Sequence, residues 1–103
     1  MADPDQTRPE GETLAAAQDA LRGGRFEDAH AGAQAILAQE PENAEALYLA
    51  AVACRYLERF KEASECLDRL GAVMPEYGRC WQERGHLARA QGQVERALAA
   101  YAR

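Results

Sequence analysis

The sequence predicts an all-α superhelix of antiparallel helix hairpins, and two observations carry that prediction. One phrase recurs. Gly24-Arg25-Phe26-Glu27-Asp28-Ala29 returns 34 residues later as Glu58-Arg59-Phe60-Lys61-Glu62-Ala63, and after the same step as Gly92-Gln93-Val94-Glu95-Arg96-Ala97. Pro41 and Pro75 keep this interval, as do Ile36 and Leu70. A period of this length holds a pair of helices that cannot bury its own apolar face and stacks on its neighbours instead. The second observation is compositional: 48% of the 103 residues are hydrophobic, and many of them are alanine. That suits closely packed helices and not a Val/Ile-rich sheet.

Taken in order, residues 1–10 hold Asp3, Pro4, Asp5, Arg8, Pro9 and Glu10 with no apolar partner, and read as a disordered leader. The first repeat spans 11–43. Its first helix, Glu12–Arg22, has Leu14 and Leu21 on one face and ends at Gly23-Gly24, where glycine relieves the strain of a helix terminus. Its second, Phe26–Glu40, is stopped by Pro41. The second repeat spans 44–77: a helix over Glu42–Leu57 with Asn43 as N-cap, then Phe60 to about Val73, stopped by Pro75. Gly71 stands where the first repeat has Leu37, which predicts a frayed end to that helix. The third repeat, 78–103, has a helix over Gly78–Gln91 ended by Gly92 and a truncated one over Val94–Arg103. Leu98 and Tyr101 lie one turn apart there with no following repeat to cover them. The expectation is that more chain follows, or that a second copy forms a homodimer over this end.

Charge and cysteine usage limit the function. The net charge of −5 disfavours nucleic acid and anionic membrane as partners of the whole molecule, and no apolar run approaches a span of about 20 residues. The N-terminus lacks the basic-then-apolar order of a signal peptide. Three cysteines without close pairs suit a reducing, cytoplasmic setting. Eleven arginines to one lysine, with the alanine content, suggest a GC-rich bacterial genome.

Over Gly11–Arg103 the chain resembles the tetratricopeptide repeat (TPR) family. Trp81, Gly85, Gly92, Ala97 and Tyr101 stand at the family's signature spacings, as do Leu47, Ala51, Phe60, Ala63, Leu67, Leu70 and Pro75 in the second unit, and Ala17, Gly24, Phe26, Ala29, Ile36 and Pro41 in the first. The resemblance implies a right-handed solenoid whose first helices line a concave groove. Ala17/Ala51/Gly85 and Ala29/Ala63/Ala97 are small where the helices of each hairpin cross closely. Phe26, Phe60 and Val94 are expected to fill the wedge where each hairpin opens. Three positions depart from the pattern: Thr13 where Leu47 and Trp81 stand, Ala33 where Leu67 and Tyr101 stand, and Glu58 at a turn glycine.

No catalytic pattern is present. Ser64 has no histidine near it in sequence and reads as a surface residue. Cys54 recurs at the place of Ala20 and Ala88, so it reads as a buried filler, with Cys66 and Cys80 similar or partly exposed. Cys80 and His86 are about 240° apart on one helix and cannot share a metal, and no CxxC or HxxxH spacing occurs. No metal or cofactor is expected. Glu27, Asp28, Glu40, Glu62, Glu65 and Asp68, all on second helices, read as a solvated outer face.

The groove is the candidate site. Tyr48, Val52, Arg55 and Tyr56 share a face of the third helix, and Arg79, Gln82, His86 and Arg89 a face of the fifth, with Leu14, Gln18 and Leu21 added by the first. The expected partner is a protein or peptide, acidic and partly apolar, held by arginine pairing and tyrosine contact. Family members that grip chaperone tails use a clamp whose positions here read Leu14, Gln18, Leu49, Arg79 and Glu83; only Arg79 fits, and Glu83 is expected to repel a carboxylate. An alternative reading makes this a regulatory segment preceding a larger bacterial enzyme, because Tyr77–Leu87 resembles repeats ahead of sulfotransferase-type catalytic domains.

Overall fold

The computed structural model describes residues 10–102. Among them lie six helices and no strand: α1 (Glu10–Arg22), α2 (Phe26–Gln39), α3 (Ala44–Tyr56), α4 (Phe60–Val73), α5 (Gly78–Ala90) and α6 (Val94–Tyr101). Short links make α1/α2, α3/α4 and α5/α6 hairpins. α2 then packs on α3 and α4 on α5, while the first helices α1, α3 and α5 touch in a row. No helix among the described residues is long and apolar enough to cross a membrane. The expected leader lies outside the described residues except for Glu10, which already begins α1.

The turn inside each hairpin is the same object three times. Gly24, Glu58 and Gly92 have φ of 78°, 61° and 76°. In each, the following N–H reaches back to close the helix end: Arg25 to the Ala20 carbonyl, Arg59 to Cys54 and Gln93 to Ala88, all at 2.8 Å. Glu58 thus holds a left-handed conformation that favours glycine. Between hairpins, Asn43 caps α3 by accepting from the Ala46 N–H at 2.9 Å, whereas Tyr77 occupies the matching place on α5 without a side-chain cap.

The middle helix is the core. Ala46, Leu47 and Leu49–Cys54 are buried, with only Tyr48 of that run half-exposed, because α3 has neighbours on every side. The repeated small positions Ala17, Ala51, Ala29, Ala63 and Ala97 are buried as the helix crossings require. A Cβ on Gly85 would overlap the Tyr101 ring.

Two local expectations fail. α4 shows no fraying at Gly71 and runs on to Val73, because the slot left by the missing leucine is filled from α5. Arg84 donates to the Leu67 carbonyl at 2.9 Å and lies 3.3 Å from Asp68. Val94 fills no wedge and is 61% exposed. Phe26 is covered by the stacked Tyr56 ring of the next repeat at 4.4 Å, and Val94 has no such cover among the described residues.

Candidate functional site

The eight expected groove residues do not form one surface; the first-helix row divides into three parts. At the N-terminal ends of α3 and α5, Arg79 lies 4.5 Å over the Tyr48 ring and 5.7 Å from the Tyr77 ring. The two rings meet edge to face at 6.2 Å. Arg79 also donates to the Tyr77 hydroxyl at 3.0 Å and lies 3.7 Å from Glu45. Burial, with Glu45 beside it, holds the Tyr77 phenol above its ordinary pKa. This cluster is half-exposed, and its charge is already shared with aromatic faces.

In the middle, Arg55 is turned toward the neighbouring helix α5. Its guanidinium forms two hydrogen bonds to the Glu83 carboxylate across α3 and α5. Glu83 is 2% exposed. Burial opposes the Arg55 charge, but the bond and charge of Glu83, with Tyr56, together outweigh it and raise the Arg55 pKa. The same register one repeat earlier is Leu21 and Leu49, both part of the apolar core. An ion pair thus replaces an apolar contact. This corrects two expectations: Arg55 is a structural clasp, and Glu83 is turned inward under Arg55, where it repels nothing. Val52, at 6% exposure, is likewise core, since α3 is covered on all sides.

At the other end, Tyr56 is exposed but stacks on Phe26 of the first hairpin, with Arg55 4.6 Å over its ring. His86 Nδ1 lies 2.7 Å from the Tyr101 hydroxyl, toward α6. Gln82 and Arg89 are exposed on α5. Arg89 has no ion-pair partner among the described residues.

The supposed solvated acidic face is also partly engaged. Glu27 accepts from Arg59 at 2.5 Å, and Glu62 lies 2.6 Å from His30 Nε2. Each links one repeat to the next. The His30 bond pulls the Glu62 pKa below the ordinary carboxylate value. All three cysteines are free and buried, and burial pushes the Cys54 thiol up to about 12 and the Cys66 thiol up to about 11. Ser64 lies in an open cleft of about 650 Å³ between α4, α5 and α6, whose lining holds no histidine and none of the eight groove residues.

Sequence reasoning missed Tyr77, Glu45 and the Arg55–Glu83 clasp. Tyr77 sits at an inter-repeat position where Asn43 signals a cap, so nothing local marked it as aromatic surface. The clasp carried a signal: Arg55 and Glu83 are polar at the register of Leu21 and Leu49.

Stacked hairpins with one row of first helices form a helical-repeat fold. The tetratricopeptide repeat pattern matches residues 20–84, and the chain belongs to that family. No curated protein matches the chain.

Proposed function

We propose that this chain is a non-catalytic TPR interaction module whose first-helix row takes up an acidic, partly apolar protein segment. The observation that supports it is the half-exposed Tyr48–Tyr77–Arg79 cluster, which offers two ring faces and a cation at one point. Gln82 and Arg89 extend the same helix as exposed polar contacts. Of the expected cations, Arg79 and Arg89 carry this reading, while Arg55 supports the scaffold beneath.

The experiment is a titration of wild type, Arg79→Ala and Arg89→Ala with acidic and basic peptides, each bearing one tyrosine or leucine. Acidic peptides bind wild type and lose at least about tenfold in affinity with Arg79→Ala, a desolvated contact worth roughly 1.4 kcal/mol or more. Equal binding to both proteins rejects the reading. Arg55→Ala is unsuitable, because it leaves Glu83 buried without its partner.

A second reading is self-association through α6. Val94, Leu98 and Tyr101 follow a spacing of four and three on one face and are 61%, 64% and 38% exposed. Arg89 on α5 repeats the register of Arg55, which grips the next hairpin. Sedimentation over a dilution series tests this, with Leu98→Glu expected to abolish any dimer. No observation favours the enzyme-segment reading: within residues 77–87, Cys80 lies in the core, Glu83 in the clasp and Gly85 beneath Tyr101.

A further inference from the structure

His30, Cys54 and Glu62 come from α2, α3 and α4, and they meet where the first two repeats join. Their Nε2, Sγ and carboxylate oxygen all lie within 4.8 Å of one another. Cys54 is fully buried, while His30 and Glu62 are half-buried and in hydrogen-bond contact at 2.6 Å. Gln34 closes the outer side, its carboxamide nitrogen 3.2 Å from both His30 Nε2 and Glu62 Oε2. We propose that these three side chains form a binding site for a single zinc-class divalent cation that fastens the first repeat to the second.

The donor set is of the kind zinc takes: one imidazole nitrogen, one thiolate sulfur and one carboxylate oxygen. Its two negative charges balance the cation once the metal displaces the Cys54 thiol proton to solvent. Zinc bonds of about 2.0 Å to nitrogen and oxygen at a tetrahedral angle set those two atoms roughly 3.3 Å apart. The His30–Glu62 pair therefore opens by several tenths of an ångström when the metal takes the place of the shared proton. Three protein ligands leave a fourth position, which a water bonded to Gln34 fills at the solvent side.

The repeat supplies an internal control. One period on, the register of His30, Cys54 and Glu62 is Ser64, Ala88 and Arg96, and these line the open cleft between α4, α5 and α6. Helix geometry alone does not require ligands at this junction. The three chelating residues coincide only between the first and second hairpins, so spacing along any one helix gave no sign of them.

The test uses metal-free protein titrated with Co²⁺ and Zn²⁺. The substitutions Cys54→Ala and His30→Ser introduce residues that other repeats already carry at those places. Wild type is expected to bind one Co²⁺ with a thiolate-to-cobalt charge-transfer absorption that Zn²⁺ displaces. Cys54→Ala abolishes that absorption, His30→Ser weakens binding by at least about 100-fold, and Cys66→Ala and Cys80→Ala retain it. A hundredfold Zn²⁺ excess over the wild-type Kd raises the wild-type Tm by about 10 °C and the His30→Ser Tm by no more than about 2 °C. Absence of the thiolate absorption in folded wild type overturns the proposal, as does its persistence in Cys54→Ala. If Cys54→Ala does not fold, unchanged metal affinity in His30→Ser overturns it equally.

Discussion

At the scale of single residues, the most consequential finding is that Arg55 and Glu83 pair with each other across α3 and α5. A buried ion pair of this kind is strongly destabilised when one member is removed, and often improved when both become apolar. Arg55→Leu alone is expected to cost about 3–5 kcal/mol. The pair Arg55→Leu/Glu83→Leu, which copies the Leu21/Leu49 register, should return to wild-type stability or exceed it, and urea denaturation of wild type and the two variants measures this. Glu58 gives a second prediction. It occupies a glycine conformation at φ 61°, so Glu58→Gly should raise stability by about 0.5–1 kcal/mol in the same assay. Both are side-chain questions posed by the backbone. The Glu58 case was open in the sequence, because its two counterparts are glycines. The clasp left only a register signal, polar residues where the preceding repeat has Leu21 and Leu49, and its pairing shows once α3 and α5 are placed side by side.

At the scale of elements, the two inter-repeat junctions have the same plan and different fillings. Leu37 and Ala50 lie buried at the first junction, and one period on the large and small sides are exchanged as Gly71 and Arg84. A Cβ on Gly71 would meet only the end of the flexible Arg84 side chain, at 3.4 Å. Gly71→Ala is therefore expected to stabilise by about 0.5–1 kcal/mol through helix propensity, read as an increase in Tm. Gly85→Ala has the opposite sign: the new methyl meets the Tyr101 ring, and α6 should loosen, with faster amide exchange over Val94–Tyr101. The helix boundaries and hairpin turns were legible because glycine, proline and the small positions recur in register. The filling of the second junction was not, because Gly71 alone reads as a weak helix end. The arginine that compensates for it lies on the next helix.

At the scale of the whole molecule, the row of first helices was legible but its chemistry was only half so. Tyr48, Arg79, Gln82 and Arg89 remain available at a surface. Val52 and Arg55 went into the scaffold, Tyr56 went to Phe26, and His86 to Tyr101. Surface position on a helix predicts exposure only where no neighbouring hairpin arrives, and α3 has neighbours on all sides. Burial of Cys54 and Cys66 adds a global probe. With thiols pushed up to about 12 and about 11, alkylation at pH 8 in chelator should track unfolding. Labelling as fast as a free thiol would contradict the packed core.

The most direct measurement is backbone amide chemical-shift mapping of the protein with an acidic, aromatic-bearing peptide. Saturable shifts centred on Tyr48, Tyr77, Arg79, Gln82 and Arg89, weakened at least about tenfold by Arg79→Ala, are the predicted result. Shifts centred instead on the cleft around Phe60, Lys61 and Arg96, or an unchanged affinity in Arg79→Ala, would contradict it.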